Sequence, residues 1–342
     1  MTDADHPWVD GLTFAEVLDR TAERHGQGDA LVFPWLNYRR SYAEFHADVR
    51  RLARWLLEHG VQRGDHVGIW ATNWPQWVAV QFATAYIGAV LVNVNPAYRA
   101  HELQYVLQQA DIGTLFLTDR FKSTDYCELL RAICPELSDC ECEWDELNAA
   151  ACPRLRRVIS IKNSFDPGIL SWDATQRWPV QVTDIELDLR SREVLPDDVV
   201  NIQYTSGTTG FPKGAMLTHR NLLMNAYYIG ERMAFSERDR LCIPVPFYHC
   251  FGCVMGTLMC AVFGSAMVVP AESFDPLATL KAVQDEACTA LYGVPTMFIA
   301  ELSHPRFGEF DLHSLRTGVM AGSPCPIEVM RGQWASAWGR GR

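Results

Sequence analysis

Apolar, β-prone runs that recur between helix-like segments constrain this chain more than any other feature. Residues 30–33, 66–70, 89–94, 114–117, 156–161, 199–204, 265–269, 290–292 and 317–321 read as short strands, several of them apolar at nearly every position. A strand exposed on one face alternates apolar with polar residues, whereas one covered on both faces reads as a near-continuous apolar run. Between the strands lie amphipathic stretches with helix-start signals. Thr13-Phe14-Ala15-Glu16 and Ser41-Tyr42-Ala43-Glu44 both have capping-box form. The second opens a helix whose apolar stripe is Phe45, Val49, Leu52, Trp55 and Leu56 and whose end is Gly60. Asp275-Pro276 marks a further start, with Asp as cap and Pro in the first turn. The pattern predicts an α/β fold with sheets flanked by helices in layered subdomains.

The rest of the chain is less regular. A helix is expected over 100–110, another from about Asn221, and another after Pro295. Residues 121–151 are helix-prone without clear bounds, and 163–196 sustain no period and read as loops with short excursions. Residues 241–271 contain no Asp, Glu, Lys or Arg and are long enough to cross a bilayer. Pro244, Pro246, Gly252, Gly256, Gly264 and Pro270 interrupt that stretch, and Tyr248 and His249 sit inside it. It reads as a buried loop, helix and strand, with no transmembrane segment.

The formal charge of −11 excludes a nucleic-acid binder, which needs a basic face against phosphates. Any phosphate must be held locally, by backbone N–H groups and one or two cations. Eleven cysteines, an odd number in a large chain, read as free thiols in a reducing, cytoplasmic setting, and residues 1–10 are acidic with no apolar leader. Cys250 and Cys253 form a C-x-x-C, and Cys140 and Cys142 lie close together. Neither pair has a second Cys/His pair at zinc-ligand spacing, so both are expected to be buried structural thiols.

The chemistry concentrates in Thr205-Ser206-Gly207-Thr208-Thr209-Gly210-Phe211-Pro212-Lys213-Gly214, which leaves a strand, clusters hydroxyls and glycines, and ends in a lysine. Glycines let backbone N–H groups turn toward an anion, and hydroxyls add donors that rotate to fit phosphate oxygens. The spacing is not that of a Walker A loop, since no glycine directly precedes Lys213.

Residues 205–213 resemble the phosphate-binding signature of the adenylate-forming enzymes, which include acyl-CoA synthetases, luciferases and peptide-synthetase adenylation domains. The continuation Gly214-Ala215-Met216-Leu217-Thr218-His219-Arg220-Asn221 is similar to that family as well. So are Pro246-Phe247-Tyr248-His249-Cys250-Phe251-Gly252, Tyr292-Gly293-Val294-Pro295-Thr296 and Ala321-Gly322-Ser323-Pro324. Trp70-Ala71-Thr72-Asn73 and Val94-Asn95-Pro96 also stand at expected places, and the flavour is nearest to medium-chain fatty acyl-CoA synthetases.

The resemblance implies the large N-terminal AMP-binding domain of the adenylate-forming fold over residues 10–330. It implies ATP-dependent activation of a carboxylic, fatty-type acid to an acyl-adenylate and then an acyl-CoA, with ATP, Mg2+ and coenzyme A. Thr205, Ser206, Gly207, Thr208, Thr209, Gly210 and Lys213 would hold the β- and γ-phosphates, with Thr205 also a magnesium contact. His249 and Phe251 would border the acyl pocket, Lys213 and His249 would serve catalysis, and Gly322 and Ser323 would abut the adenylate. His219, by contrast, is expected to be structural, beside an N-cap made by Thr218.

The chain also departs from the family. A Tyr-Gly-x-Thr-Glu segment, the ribose-gripping Asp and a small mobile C-terminal domain with its lysine are expected downstream of residue 330. Residues 331–342 read as an aberrant tail, leaving the fold incomplete at its C-terminus. On that reading the 342-residue chain has little or no ligase activity by itself. The alternative is a non-catalytic nucleotide- or acyl-binding remnant, or half of a split enzyme. A kinase is disfavoured by the missing motifs, and an amino-acid-activating domain by the lack of a carrier module.

Overall fold

Local capping chemistry starts the fold where the sequence signals it. Thr13 donates its N–H to Glu16 at 2.8 Å and accepts the Glu16 N–H at 3.3 Å; Ser41 and Glu44 make the same exchange at 2.8 and 3.3 Å. The helices Phe14–His25 and Tyr42–Glu58 follow. Phe45, Val49, Leu52, Trp55 and Leu56 are all buried, so the stripe read from spacing is the face the second helix hides. Asp275 caps Pro276–Asp285 through a 2.7 Å bond from the Ala278 N–H.

The computed structural model describes residues 6–140, 146–162, 166–205 and 212–325. Its strands, in chain order, are β1 (Asp29–Phe33), β2 (Tyr38–Ser41), β3 (His66–Trp70), β4 (Val90–Asn93), β5 (Ile112–Leu117), β6 (Arg120–Phe121), β7 (Thr124–Asp125), β8 (Arg157–Ser160), β9 (Leu170–Ser171), β10 (Val199–Thr205), β11 (Lys213–Thr218), β12 (Arg240–Cys242), β13 (Ala266–Val268), β14 (Ala290–Gly293) and β15 (Thr317–Met320).

Two units emerge. One comprises residues 11–16 and 47–222 and holds a sheet ordered β11-β10-β4-β3-β5-β8-β9. Every neighbouring pair in it is parallel except β10 and β11. Parallel neighbours need crossovers, and helices Pro75–Ile87 and Ala100–Gln109 supply them on the way from β3 to β4 and from β4 to β5. Pro75–Ile87 is buried almost throughout. It stops at Gly88, whose φ of 72° and whose missing Cβ, 3.0 Å from both Arg63 and Val194 side chains if present, leave room for glycine alone. All four residues of β4 are buried, and Val90, Leu91 and Val92 read as apolar without alternation because both faces are covered.

The second unit comprises residues 1–10, 17–46 and 223–342, with a sheet ordered β15-β14-β12-β13-β1-β2 that is parallel except between β1 and β2. The uncharged stretch supplies much of its core: Leu241, Ile243, Val245, Phe247, Leu258 and Met259 are all buried. No helix of the described residues is long and apolar enough to cross a membrane.

The structure corrects two expectations. Residues 163–196, read as loops with short excursions, carry β9 and the defined helices Trp172–Arg177 and Asp184–Arg192. The longer helix buries only Leu187 and leaves Ile185 and Leu189 exposed, so it has no apolar stripe to read. A capping box holds it, with Thr183 and Glu186 exchanging bonds of 2.7 and 3.2 Å, and Arg50 pairs with Asp184 and Asp188 at 2.9 and 2.8 Å. The second is β11, which lies between the Gly/Thr run and the helix expected from about Asn221, where no strand was read. It is an edge strand with Met216 63% exposed, and its order comes from hydrogen bonds to β10 rather than from a buried run.

Candidate functional site

In the unit of residues 47–222, β10 runs parallel to β4 and ends at Thr205. Open α/β sheets gather ligands at the carboxyl ends of their parallel strands, and Thr205 stands at such an end. Lys213 opens β11 directly opposite Thr205 in antiparallel register, and both are exposed. A hydroxyl on one strand and an ammonium group on its neighbour therefore stand at paired positions. Ser206, Gly207, Thr208, Thr209 and Gly210 lie outside the described residues.

The base of this hairpin is firmly built. Tyr204 is half-buried and its hydroxyl donates to the Gln109 side chain; burial, with Tyr105 and Tyr98 nearby, pushes its pKa up. Gly214 opposite it has no room for a side chain, since a Cβ would lie 2.8 Å from Ile202 Cγ2. Thr218 and Asn221 cap the next helix through two 3.2 Å bonds, as expected of Thr218. His219 is structural, as read: it is buried, its Nδ1 accepts the Phe14 N–H at 3.1 Å, and desolvation holds its pKa down at about 4. Sequence reading missed three buried polar neighbours, Asn93, Asn201 and Gln203. The signal was present: amides interrupt runs that should be wholly apolar in a doubly covered parallel sheet.

In the other unit, β12, β14 and β15 are parallel neighbours, so the segments that follow them leave the same edge. After β12 the chain passes through buried Ile243, Pro244 and Val245 to His249. The His249 Nδ1 accepts the Phe251 N–H at 3.1 Å, capping the helical turn Cys250–Gly252. That bond assigns the neutral ring's proton to Nε2, which is left as a donor for whatever lies outside. His249 is exposed, yet the surrounding protein strips enough hydration to lower its pKa. Gly252 is obligatory, since a Cβ there would lie 2.3 Å from the Pro246 carbonyl oxygen. A π-helical turn, Cys253–Leu258, follows at once, a feature enriched at functional sites.

Phe251 is buried with its ring 5.3 Å from that of Tyr292 on β14. Beside Gly293 at the end of β14, the Ala321 N–H donates to the Gly293 carbonyl at 3.3 Å. Gly322 has φ of 93°, and a Cβ on it would sit 3.1 Å from Val294. Gly322 and Ser323 are exposed. The segments around His249, Tyr292 and Gly322 are thus brought side by side within this unit, each for a packing reason legible at a glycine.

The cysteines depart from expectation in part. Cys253 is buried, but Cys250 is exposed with its sulfur 3.6 Å from His249 Nδ1, and Cys140 is half-buried. Helix position decides this, because Cys250 occupies the first residue after the cap and faces outward with His249. Among the described residues all ten cysteines are free, and no group of three or more His, Cys, Asp or Glu is placed to hold a metal ion.

Comparison with known proteins bears on all of these segments. The family described as "AMP-binding enzyme" matches residues 18–339. The putative acyl-CoA synthetase YngI of Bacillus subtilis (strain 168) is 50% identical over 319 residues, covering 93% of this chain and 58% of that protein. The mitochondrial medium-chain acyl-CoA ligase ACSF2 of Danio rerio is 41% identical over 331 residues, covering 96% of this chain and 54% of that protein. The chain spans about half the length of the curated relatives it matches. Among solved structures, the anthranilate CoA ligase AuaEII in complex with anthranoyl-AMP aligns with a TM-score of 0.82 at 21% identity, covering 99% of this chain and 60% of that one. The N-terminal domain of FACL13 from Mycobacterium tuberculosis aligns at 0.74 and 20% identity, covering 95% and 74%. At these identities the structural likeness shows a shared fold.

Proposed function

The chain belongs to the AMP-binding enzyme family, and from that premise we propose that it activates a medium-chain fatty acid with ATP and passes the acyl group to coenzyme A. Its fold is that of the N-terminal domain of adenylate-forming enzymes. One observation carries the proposal: Thr205 and Lys213 face each other at the carboxyl end of a parallel strand, with the Ser-Gly-Thr-Thr-Gly run between them in sequence.

A carboxylate oxygen attacks the α-phosphorus of ATP, and the bond to the bridging oxygen breaks to release pyrophosphate. Charge builds on that leaving group, and stabilising it there lowers the barrier. Lys213 supplies the cation: at about 4 Å and an effective dielectric near 20, one pair of unit charges is worth roughly 4 kcal/mol before desolvation. The Thr205 hydroxyl and the hydroxyls at Ser206, Thr208 and Thr209 supply neutral donors, and Gly207 and Gly210 leave the backbone open to the phosphates. His249, neutral with its proton on Nε2, donates to the acid's carboxylate without transferring charge, while Phe251 backs the acyl wall. The thiol sulfur of coenzyme A then attacks the acyl carbon, the bond to AMP breaks, and the thiol proton passes to solvent. Gly322 and Ser323 sit at the adenylate in this reading.

Magnesium fits this donor set in one way. A hard cation takes oxygen ligands and keeps several waters, and Thr205 is a single exposed hydroxyl at the strand end. Such a site accepts Mg2+ carried in on the triphosphate, where it would neutralise phosphate charge. The free thiols of the described residues favour a reducing compartment, the cytoplasm in this reading.

The test is acid-dependent ATP–pyrophosphate exchange across butyrate, octanoate and palmitate, with hydroxylamine trapping of the acyl-adenylate. Exchange that peaks near octanoate supports the proposal, and absence of any acid dependence sinks it. The same assay checks the expectation of weak turnover by the 342-residue chain alone. ATP binding with no exchange is the signature of the alternative, a nucleotide-binding half.

A further inference from the structure

Strands β4 and β10 are buried on both faces, yet one face of the pair is polar. Register sets Asn201 beside Leu91 and Gln203 beside Asn93, while β11 sets Leu217, Ala215 and Lys213 beside Asn201, Gln203 and Thr205. Side chains alternate along a strand, so Asn93, Asn201, Gln203, Thr205 and Lys213 share one face. The other face carries Val90, Val92 and Ile202 in an apolar cluster, with Tyr204 packed against it.

Asn93 and Asn201 are 2% and 5% exposed. An amide that buried is costly unless bonded, and a pair of apolar residues of similar shape is nearly neutral in its place. A core alone does not call for asparagine here. The two are joined: Asn201 Nδ2 donates to the Leu91 carbonyl at 3.0 Å and to Asn93 Oδ1 at 2.9 Å. Next to this clamp the β10–β11 register shifts between Val199 and Asn201, so two residues of β10 oppose one of β11. Such a bulge leaves a residue unpaired and turns the strand. The amides tie β10 to β4 where the bulge loosens it from β11.

We infer that Asn93 and Asn201 are positioning residues that fix how far β10 reaches along β4, and so where Thr205 and Lys213 stand relative to the phosphates of ATP. This rests on the phosphate-loop reading given under Proposed function. Gln203, one step nearer Thr205 on the same face, continues the row.

The double variant Asn93→Leu/Asn201→Leu keeps volume and removes donor and acceptor together. Titration calorimetry with magnesium–ATP and thermal unfolding are run on it and on the parent chain. The expected result is ATP affinity weakened about tenfold or more, with an unfolding midpoint equal to or above the parent's. A purely structural role moves the midpoint and leaves affinity alone, and that outcome overturns the inference. Ile202→Val, on the opposite face of the same strand, is the control: it lowers the midpoint and leaves affinity unchanged, and an equal loss of affinity there also overturns the inference. Should the double variant not fold, Asn201→Ser, too short to reach both Leu91 and Asn93, gives the same readout. A parent that binds no ATP overturns the phosphate-loop reading and this inference with it. A parent that binds, with a double variant that binds equally, overturns this inference alone.

Discussion

Lys213 and His249 show what a single residue type can and cannot announce. A lysine closing a Gly/Thr run announces an anion, and the structure sets it opposite Thr205 at a strand end. In a protein of net charge −11, removing that ammonium group leaves the phosphates to neutral donors. Lys213→Met is therefore expected to weaken ATP binding by about 1 kcal/mol, the upper end for an exposed ion pair, with the unfolding midpoint unchanged; titration calorimetry reads the first and thermal unfolding the second. His249 was legible as a candidate, but not its tautomer. Only the 3.1 Å bond from the Phe251 N–H fixes the proton on Nε2 and makes the ring a donor. His249→Phe should raise the KM for the acid and spare ATP affinity, and equal damage to both would count against the assigned role.

At the scale of elements, legibility tracked burial. The strand at residues 66–70 was placed to the residue as β3, and those at 89–94 and 114–117 to within two residues as β4 and β5, because both faces are covered and apolar runs mark them. The helix Asp184–Arg192 and the edge strand β11 were missed because their order comes from capping and from a neighbour's hydrogen bonds. The helix nonetheless carried its own notice in Thr183 and Glu186. Loss of a capping hydroxyl costs about 1 kcal/mol, so Thr183→Ala should fray this helix by about that amount. Faster amide exchange confined to Asp184–Arg192 would register it, with β3 and β4 protected as before.

At the scale of the whole molecule, two buried groups, one in each unit, couple folding to pH in opposite directions. His219 has its pKa lowered to about 4 by burial, from an ordinary 6.5. Between those values the unfolded chain binds the extra proton, so stability falls as pH drops from 6.5 toward 4. Glu301, buried in helix Pro295–Leu302, has its pKa raised by desolvation from 4.5 to about 8. There the folded state binds the extra proton, so stability falls as pH rises through that window, by up to about 1.4 kcal/mol per pH unit. His219 therefore contributes a loss of stability in acid, and Glu301 a loss toward alkali. Glu301→Gln should flatten the alkaline limb of the urea midpoint and leave the acid limb; a variant that tracks the parent at every pH would rule this out.

By itself the sequence determined the alternation of covered strands and helices, the capped helix starts and the phosphate-loop signature, because each is written in residues close together along the chain. Tertiary structure alone decided the strand order, the division into two units, the pairing of Thr205 with Lys213, and the amide clamp between Asn93 and Asn201. Strand order, the two units and the clamp depend on residues far apart in the chain, whose meeting is set by which apolar faces can be buried together; Thr205 and Lys213 are near in sequence, but the edge strand that pairs them has no buried run to announce it.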